Sequence, residues 1–167
     1  VKQGFNVGVD HAGVKIGTPT RFFVGCALNL CAPDVDKEIK TLRKKLEAGA
    51  DFALTQPIYE VAPARAFLSR YAKLHGPLEL PIIVGILPLY NARHAAFLNN
   101  EVPGIRIPAT ALERMERAGE AGAREGANLS LELLAELRGL GPIRGTYLMP
   151  PFGRYEMAAE ILEGVRV

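Results

Sequence analysis

Tryptophan is absent and cysteine nearly so, with two thiols in 167 residues. Cys26 and Cys31 cannot build a disulfide framework, and no second Cys or His pair completes a zinc site around them. They read as free thiols in a reducing cytoplasm. No apolar run approaches the roughly 18 residues that a membrane span needs, and the first residues do not read as a signal peptide. Charge of one sign is also missing. The 20 Lys and Arg are interspersed with 18 Asp and Glu, which argues against a nucleic-acid partner. The glycine signatures of phosphate loops, G-x-G-x-x-G and G-x-x-x-x-G-K-[ST], do not occur, which lowers the expectation of a nucleotide-binding doubly wound sheet. A soluble, cytoplasmic protein without a metal is the expectation left by these absences.

What is present is an ordinary globular balance, 49% hydrophobic and 23% charged residues, in a length that fits a single domain over residues 1–167. Val1 in place of Met reads as a trimmed or partial polypeptide. Residues 1–20 carry four glycines and no periodicity, so an ordered loop is expected there. Arg21–Leu28 reads as a buried strand, β-branched and aromatic on both faces. Asp34 or Asp36 can cap the following helix, whose Ile39, Leu42 and Leu46 recur at helical spacing. Further strands are expected at Phe52–Gln56, Pro81–Pro88 and Ile143–Met149. Gly104–Pro108 is either a strand or an extended link. Helices are expected at Pro63–Leu74, Asn91–Leu98, Ala109–Ala118, Glu120–Leu137 and Arg154–Leu162. Strand and helix thus alternate four times, with one extra helix before the last strand. That order means a parallel sheet covered by helices, either a small doubly wound sheet or half of an eight-stranded barrel.

In such folds the chemistry lies at the carboxyl ends of the strands. Those positions hold Asn29, then Thr55 and Gln56, then Tyr90, Asn91 and His94, and finally Phe152, Arg154, Tyr155 and Glu156. Amide, imidazole, guanidinium and aromatic faces together suit a flat heteroaromatic ligand with an acidic tail. Each has a plainer reading as well. Gln56 can satisfy loop backbone, His94 can be a helix-surface residue, Arg154 can pair with Glu156, and Lys44 and Lys45 can form a solvated helix face. No Ser/His/Asp set and no pair of strand-end carboxylates is present, so this face looks built to bind rather than to exchange protons.

Five motifs in order give the chain a resemblance. They are K-x-x-A-G-A-D-F-x-x-T-Q at Lys45–Gln56, P-I-I-x-G-I-L-P at Pro81–Pro88, R-I-P-A at Arg106–Ala109, E-G-A-N at Glu125–Asn128 and P-P-F-G-R-Y-E at Pro150–Glu156. The chain resembles the methylenetetrahydrofolate reductase family of flavin-dependent (β/α)8 barrels, and its ending is similar to the branch fused behind a homocysteine methyltransferase. The resemblance implies a parallel α/β half barrel of about four βα units, equivalent to strands 5–8 of a TIM barrel. It also implies FAD as cofactor, NAD(P)H as co-substrate, and a folate-type small molecule as ligand, with 5,10-methylenetetrahydrofolate going to 5-methyltetrahydrofolate.

By the same resemblance Gln56 meets the pterin and the nicotinamide, His94 contacts folate, and Arg154 meets the folate tail. Leu98 takes the place of an aromatic stacking partner. Lys45 lies near the flavin phosphates, with Thr41 and Glu38 on its helical face and Asn29 at the adjoining strand end. The family's catalytic acid and flavin-tuning Asp belong to the first half barrel and have no counterpart here. A protein that is inactive or weakly active alone is therefore expected, and a non-catalytic folate- or flavin-binding subunit or scaffold is the alternative. An unrelated α/β ligand-binding domain is a third reading. A half barrel exposes two strand edges and its interior face, so a homo-oligomer, or a chain supplying the missing half, is expected to cover them.

Overall fold

The structure, a computed structural model, describes residues 1–2 and 4–165. Four parallel strands carry the fold: β1 (Gly25–Leu28), β2 (Phe52–Pro57), β3 (Ile82–Ile86) and β4 (Ile143–Leu148), side by side in chain order. Between them run α1 (Val35–Glu47), α2 (Ala62–His75), then α3 (Ala92–Glu101), α4 (Ala109–Ala118) and α5 (Gly122–Leu137), with α6 (Tyr155–Val165) last. Strand order without reversal decides between the two architectures. Parallel crossovers are right-handed, so crossovers that all step the same way put every connecting helix on one face of the sheet. A doubly wound sheet would reverse its order and cover both faces. This sheet is half of a barrel.

Burial follows that geometry. Leu28, Ala53, Ile82, Val84 and Ile86 pack with Ile39 and Leu42 of α1, Phe67 and Tyr71 of α2, and Leu133 and Leu137 of α5. Alternation puts Leu54, paired with Ala27 and Ile83, on the opposite face, where it is 41% exposed. A second cluster of Leu89, Leu98, Ile105, Ile107 and Met115 lies under α3 and α4.

Several boundaries move from their sequence expectations. The first strand begins at Gly25, not Arg21, because Asp51 takes over the pairing there: its carboxylate accepts from Val24 N–H at 2.7 Å and its N–H donates to the Val24 carbonyl. Gly104–Pro108 is an extended link that buries Ile105 and Ile107, not a strand. Asp34 is the cap of α1, accepting from Lys37 N–H, while Asp36 pairs with Arg70 at 2.9 Å. In the opening segment Asn6 accepts from the Thr20 hydroxyl and the Phe22 N–H, and Lys2 pairs with Asp51.

Candidate functional site

At the carboxyl end of β3, Asn91 accepts from His94 N–H at 2.8 Å and starts α3. The His94 ring folds back, and its Nδ1 accepts the Tyr90 N–H at 3.1 Å. The proton of a neutral His94 therefore sits on Nε2, and the ring is a donor outward. Burial pushes the His94 pKa below its ordinary value. Beyond β4, Phe152 stands with φ +54°, a left-handed backbone that is costly for a bulky residue, in a 3-10 turn at Pro151–Gly153. Its ring centre lies 5.1 Å from His94 and 6.1 Å from Tyr90, edge to face with the latter. The Arg154 guanidinium lies 4.1 Å above the Tyr90 ring. Among the described residues Arg154 makes no ion pair with Glu156, so the surface-pair reading falls away.

Two of the expected ligand residues, His94 and Arg154, thus meet through Phe152 and Tyr90. Gln56 stands on the neighbouring β2, exposed, with its amide oxygen against Gly104, where a Cβ would come within 3.1 Å. Beside Gly104 a cavity of about 360 Å3 opens between Pro57, Tyr59 and Arg106. Leu98 has no free face for stacking, being 5% exposed in the second cluster. Exposed rings at the site are Phe152 at 74% and Tyr155 at 73%. The aromatic content of P-P-F-G-R-Y-E is plain in the sequence, but a left-handed phenylalanine leaves no mark in it.

The residues expected at a flavin gather elsewhere, at the outer edge of β1. Lys45 Nζ donates to the Ala27 carbonyl at 2.6 Å and lies 4.0 Å from Glu38. Glu38 in turn accepts the Asn29 N–H at 3.1 Å, and the Asn29 side chain accepts from Cys31 N–H. Thr41 turns its hydroxyl back to the Lys37 carbonyl at 3.0 Å. Burial raises the thiol pKa of Cys26, against the pull of Lys45, and that of Cys31 to about 11, so neither is a ready nucleophile. Among the described residues no group of His, Cys, Asp or Glu is placed to hold a metal, and no helix is long and apolar enough to cross a membrane.

Acid should loosen the aromatic cluster. A protonated His94 carries N–H on both nitrogens and cannot accept from Tyr90, and its charge joins that of Arg154 around Phe152 and Tyr90. Because the folded pKa is depressed, the contribution of neutral His94 is complete above the ordinary value near 6.5 and fades as pH falls below it. Ring-current shifts of Tyr90 and Phe152, followed by NMR from neutral to acid pH, should collapse in step with His94 protonation. Shifts that stay constant through that titration would remove His94 from this role.

Similarity to known proteins identifies the family and the fold. A family model described as methylenetetrahydrofolate reductase matches residues 21–165. Methylenetetrahydrofolate reductase 2 of Saccharomyces cerevisiae is 31% identical over 134 residues, 77% of this chain and 21% of the relative. Methylenetetrahydrofolate reductase 1 of Schizosaccharomyces pombe is 29% identical over 114 residues, 66% of this chain and 18% of the relative. The chain therefore spans about a fifth of the length of these relatives. A solved protein from Clostridium thermocellum, described as binding two copies of 5-methyl-5,6,7,8-tetrahydrofolic acid, superposes with a TM-score of 0.60. It is 21% identical, and the match covers 86% of this chain and 52% of that one. With a family model covering most of its length, the chain belongs to the methylenetetrahydrofolate reductase family.

Proposed function

We propose that this chain is the ligand-gripping half of a methylenetetrahydrofolate reductase-type barrel and takes a folate-type molecule at the carboxyl ends of β2, β3 and β4. The observation that carries the reading is the meeting of His94, Phe152, Tyr90 and Arg154 on the strand-end face that also holds Gln56. A pterin ring has a flat face and an edge of mixed donors and acceptors. Phe152 offers the stacking surface, His94 Nε2 a donor, and the Gln56 amide both a donor and an acceptor. Arg154 keeps its planar N–H fork for the carboxylates of the tail.

The residues at the β1 edge fit a phosphate-bearing cofactor such as FAD. The Lys45 ammonium spends one of its three donors on Ala27 and is 30% exposed. Lys45 and the Asn29 side chain would then face the phosphates, with Glu38 steadying the lysine and Thr41 one turn away. A bound flavin would supply the two-electron carrier between NAD(P)H and the folate. This chain's own share is to bind and orient. His94, held neutral by burial, donates a hydrogen bond rather than a proton. The acid that would protonate the substrate would come from the missing half barrel, and low or no activity alone is the expected result. The partner that supports activity covers the open sheet, either as further copies of this chain or as a chain supplying the missing half. A cytoplasmic setting suits the free thiols.

Calorimetry with 5-methyltetrahydrofolate and with FAD tests the proposal. The folate should bind, and Gln56→Leu should weaken it about tenfold, the worth of one or two hydrogen bonds to a ligand. The purified protein should be colourless or partly yellow and should not turn over alone. Stoichiometric flavin with turnover would overturn the inactive reading. Silence toward both ligands would favour a scaffold, a reading that the Lys45 contact to Ala27 and the inward Thr41 hydroxyl also serve.

A further inference from the structure

The peptide that carries Gln56 is held by an arrangement that ordinary sheet pairing does not require. Leu54 pairs with Ile83, but the next pair is Pro57 with Gly85, so β2 uses one residue more than β3 across this step. That is a bulge, and bulges next to sites re-aim a side chain. Thr55, 2% exposed, fills the gap in the ladder with its hydroxyl. Its Oγ1 accepts the buried Gly85 N–H at 3.0 Å and donates to the Gln56 carbonyl at 2.7 Å. The Thr55 carbonyl is engaged as well, accepting the Tyr147 phenol from β4 at 2.6 Å. The phenol reaches it across β3 because Gly85 has no side chain. A Cβ there would lie 2.9 Å from the Tyr147 oxygen and 3.0 Å from the Thr55 carbonyl.

We propose that Thr55 and Tyr147 are positioning residues for the ligand, acting through Gln56. The Gly85 N–H of β3 holds the Thr55 hydroxyl, which ties down the Gln56 carbonyl, and the Tyr147 phenol of β4 holds the Thr55 carbonyl. The backbone is thus fixed on both sides of Gln56, and with it the direction in which the Gln56 amide leaves the strand. The bulge then serves the site rather than the sheet, since an unbulged pair would satisfy Gly85 from a backbone carbonyl without a hydroxyl. The inference rests on the reading above that Gln56 meets the ligand, and its test separates the two.

The test compares parent, Thr55→Val, Thr55→Ser, Tyr147→Phe, Gln56→Leu and the double variant Thr55→Val/Gln56→Leu. Affinity for 5-methyltetrahydrofolate is measured by calorimetry and the Gln56 side-chain amide is followed by NMR. Thr55→Val should weaken binding about tenfold, Thr55→Ser should restore it, and Tyr147→Phe should fall between. In the Gln56→Leu background Thr55→Val should cost nothing further, because its effect passes through the missing amide. A general loosening of the fold would instead weaken binding equally in both backgrounds, and that result overturns the inference. Absence of binding by the parent would refute the proposed function and leave the NMR arm to decide. There the parent should show one sharp pair of Gln56 amide signals that broadens or averages in Thr55→Val. Identical signals in the two proteins overturn the positioning role. Should Thr55→Val fail to fold, Tyr147→Phe, which keeps the Thr55 hydroxyl, carries the same comparisons.

Discussion

Gly126→Ala is expected to cost the fold on the order of 4 kcal/mol, a large share of the roughly 5–15 kcal/mol that holds a domain folded. A Cβ at Gly126 would lie 1.7 Å from the Leu89 carbonyl oxygen and 2.7 Å from its carbon. Backbone cannot swing aside as a side-chain tip can, and Leu89 is itself 2% exposed. Either α5 or the segment after β3 must move. Gly122, one turn earlier, lies against the same segment, where a Cβ would come 3.1 Å from the Tyr90 carbonyl and from Asn91 Cα. The pair of glycines lets α5 rest directly on Leu89–Asn91, the stretch that presents Tyr90 and caps His94. Urea unfolding followed by circular dichroism should therefore find Gly126→Ala far less stable than the parent, and Gly122→Ala only modestly so. An unchanged midpoint for Gly126→Ala would refute this packing.

The same motif shows where sequence reading stops. E-G-A-N at Glu125–Asn128 is visible as a family likeness, but its physical reasons lie in partners distant along the chain. Gly126 answers to Leu89, and Glu125 pairs with Arg114 of α4 at 2.6 Å. Glycine in a helix interior costs about 1 kcal/mol against alanine, so two of them four residues apart signal a close approach. The identity of what approaches is not in the local sequence. β3 was legible because Pro81–Pro88 is a continuous apolar run closed by prolines, and it is buried on nearly every position. Gly104–Pro108 imitates a strand because Ile105 and Ile107 alternate inward, yet no neighbouring strand is there to pair with it. The positions of His94 and Arg154 beyond β3 and β4 were legible, because which residues follow a strand can be read from the sequence. The meeting of Thr55 and Tyr147 is not legible there, because it depends on a bulge and on the register of three strands.

The overlong first strand points to the second large effect. Arg21–Leu28 looks buried on both faces, yet Phe22 is 53% exposed and Phe23 74%. Phe23 stacks on Phe52 at 5.2 Å, and Leu54, 41% exposed, lies on the helix-free side of β2. With β1 and β4 both at the edges of the four-stranded sheet, this face is the interior wall of a barrel laid open. Covering about 400 Å2 of it would contribute on the order of 10 kcal/mol, enough to hold an assembly together after the cost of association. Two copies meet the geometry if β4 of each runs beside β1 of the other, both pairs parallel, so that eight strands close. In sedimentation the parent should then run heavier than its 18.1 kDa chain mass. Phe23→Ser with Leu54→Thr, which removes apolar surface from the open wall and leaves the helix-side core intact, should shift the protein to monomer. A chain supplying the other four strands should dissociate the parent's assembly and bind in its place. A parent that runs as a stable monomer at every concentration would defeat the association, and the exposed wall would then have to be accounted for without a partner.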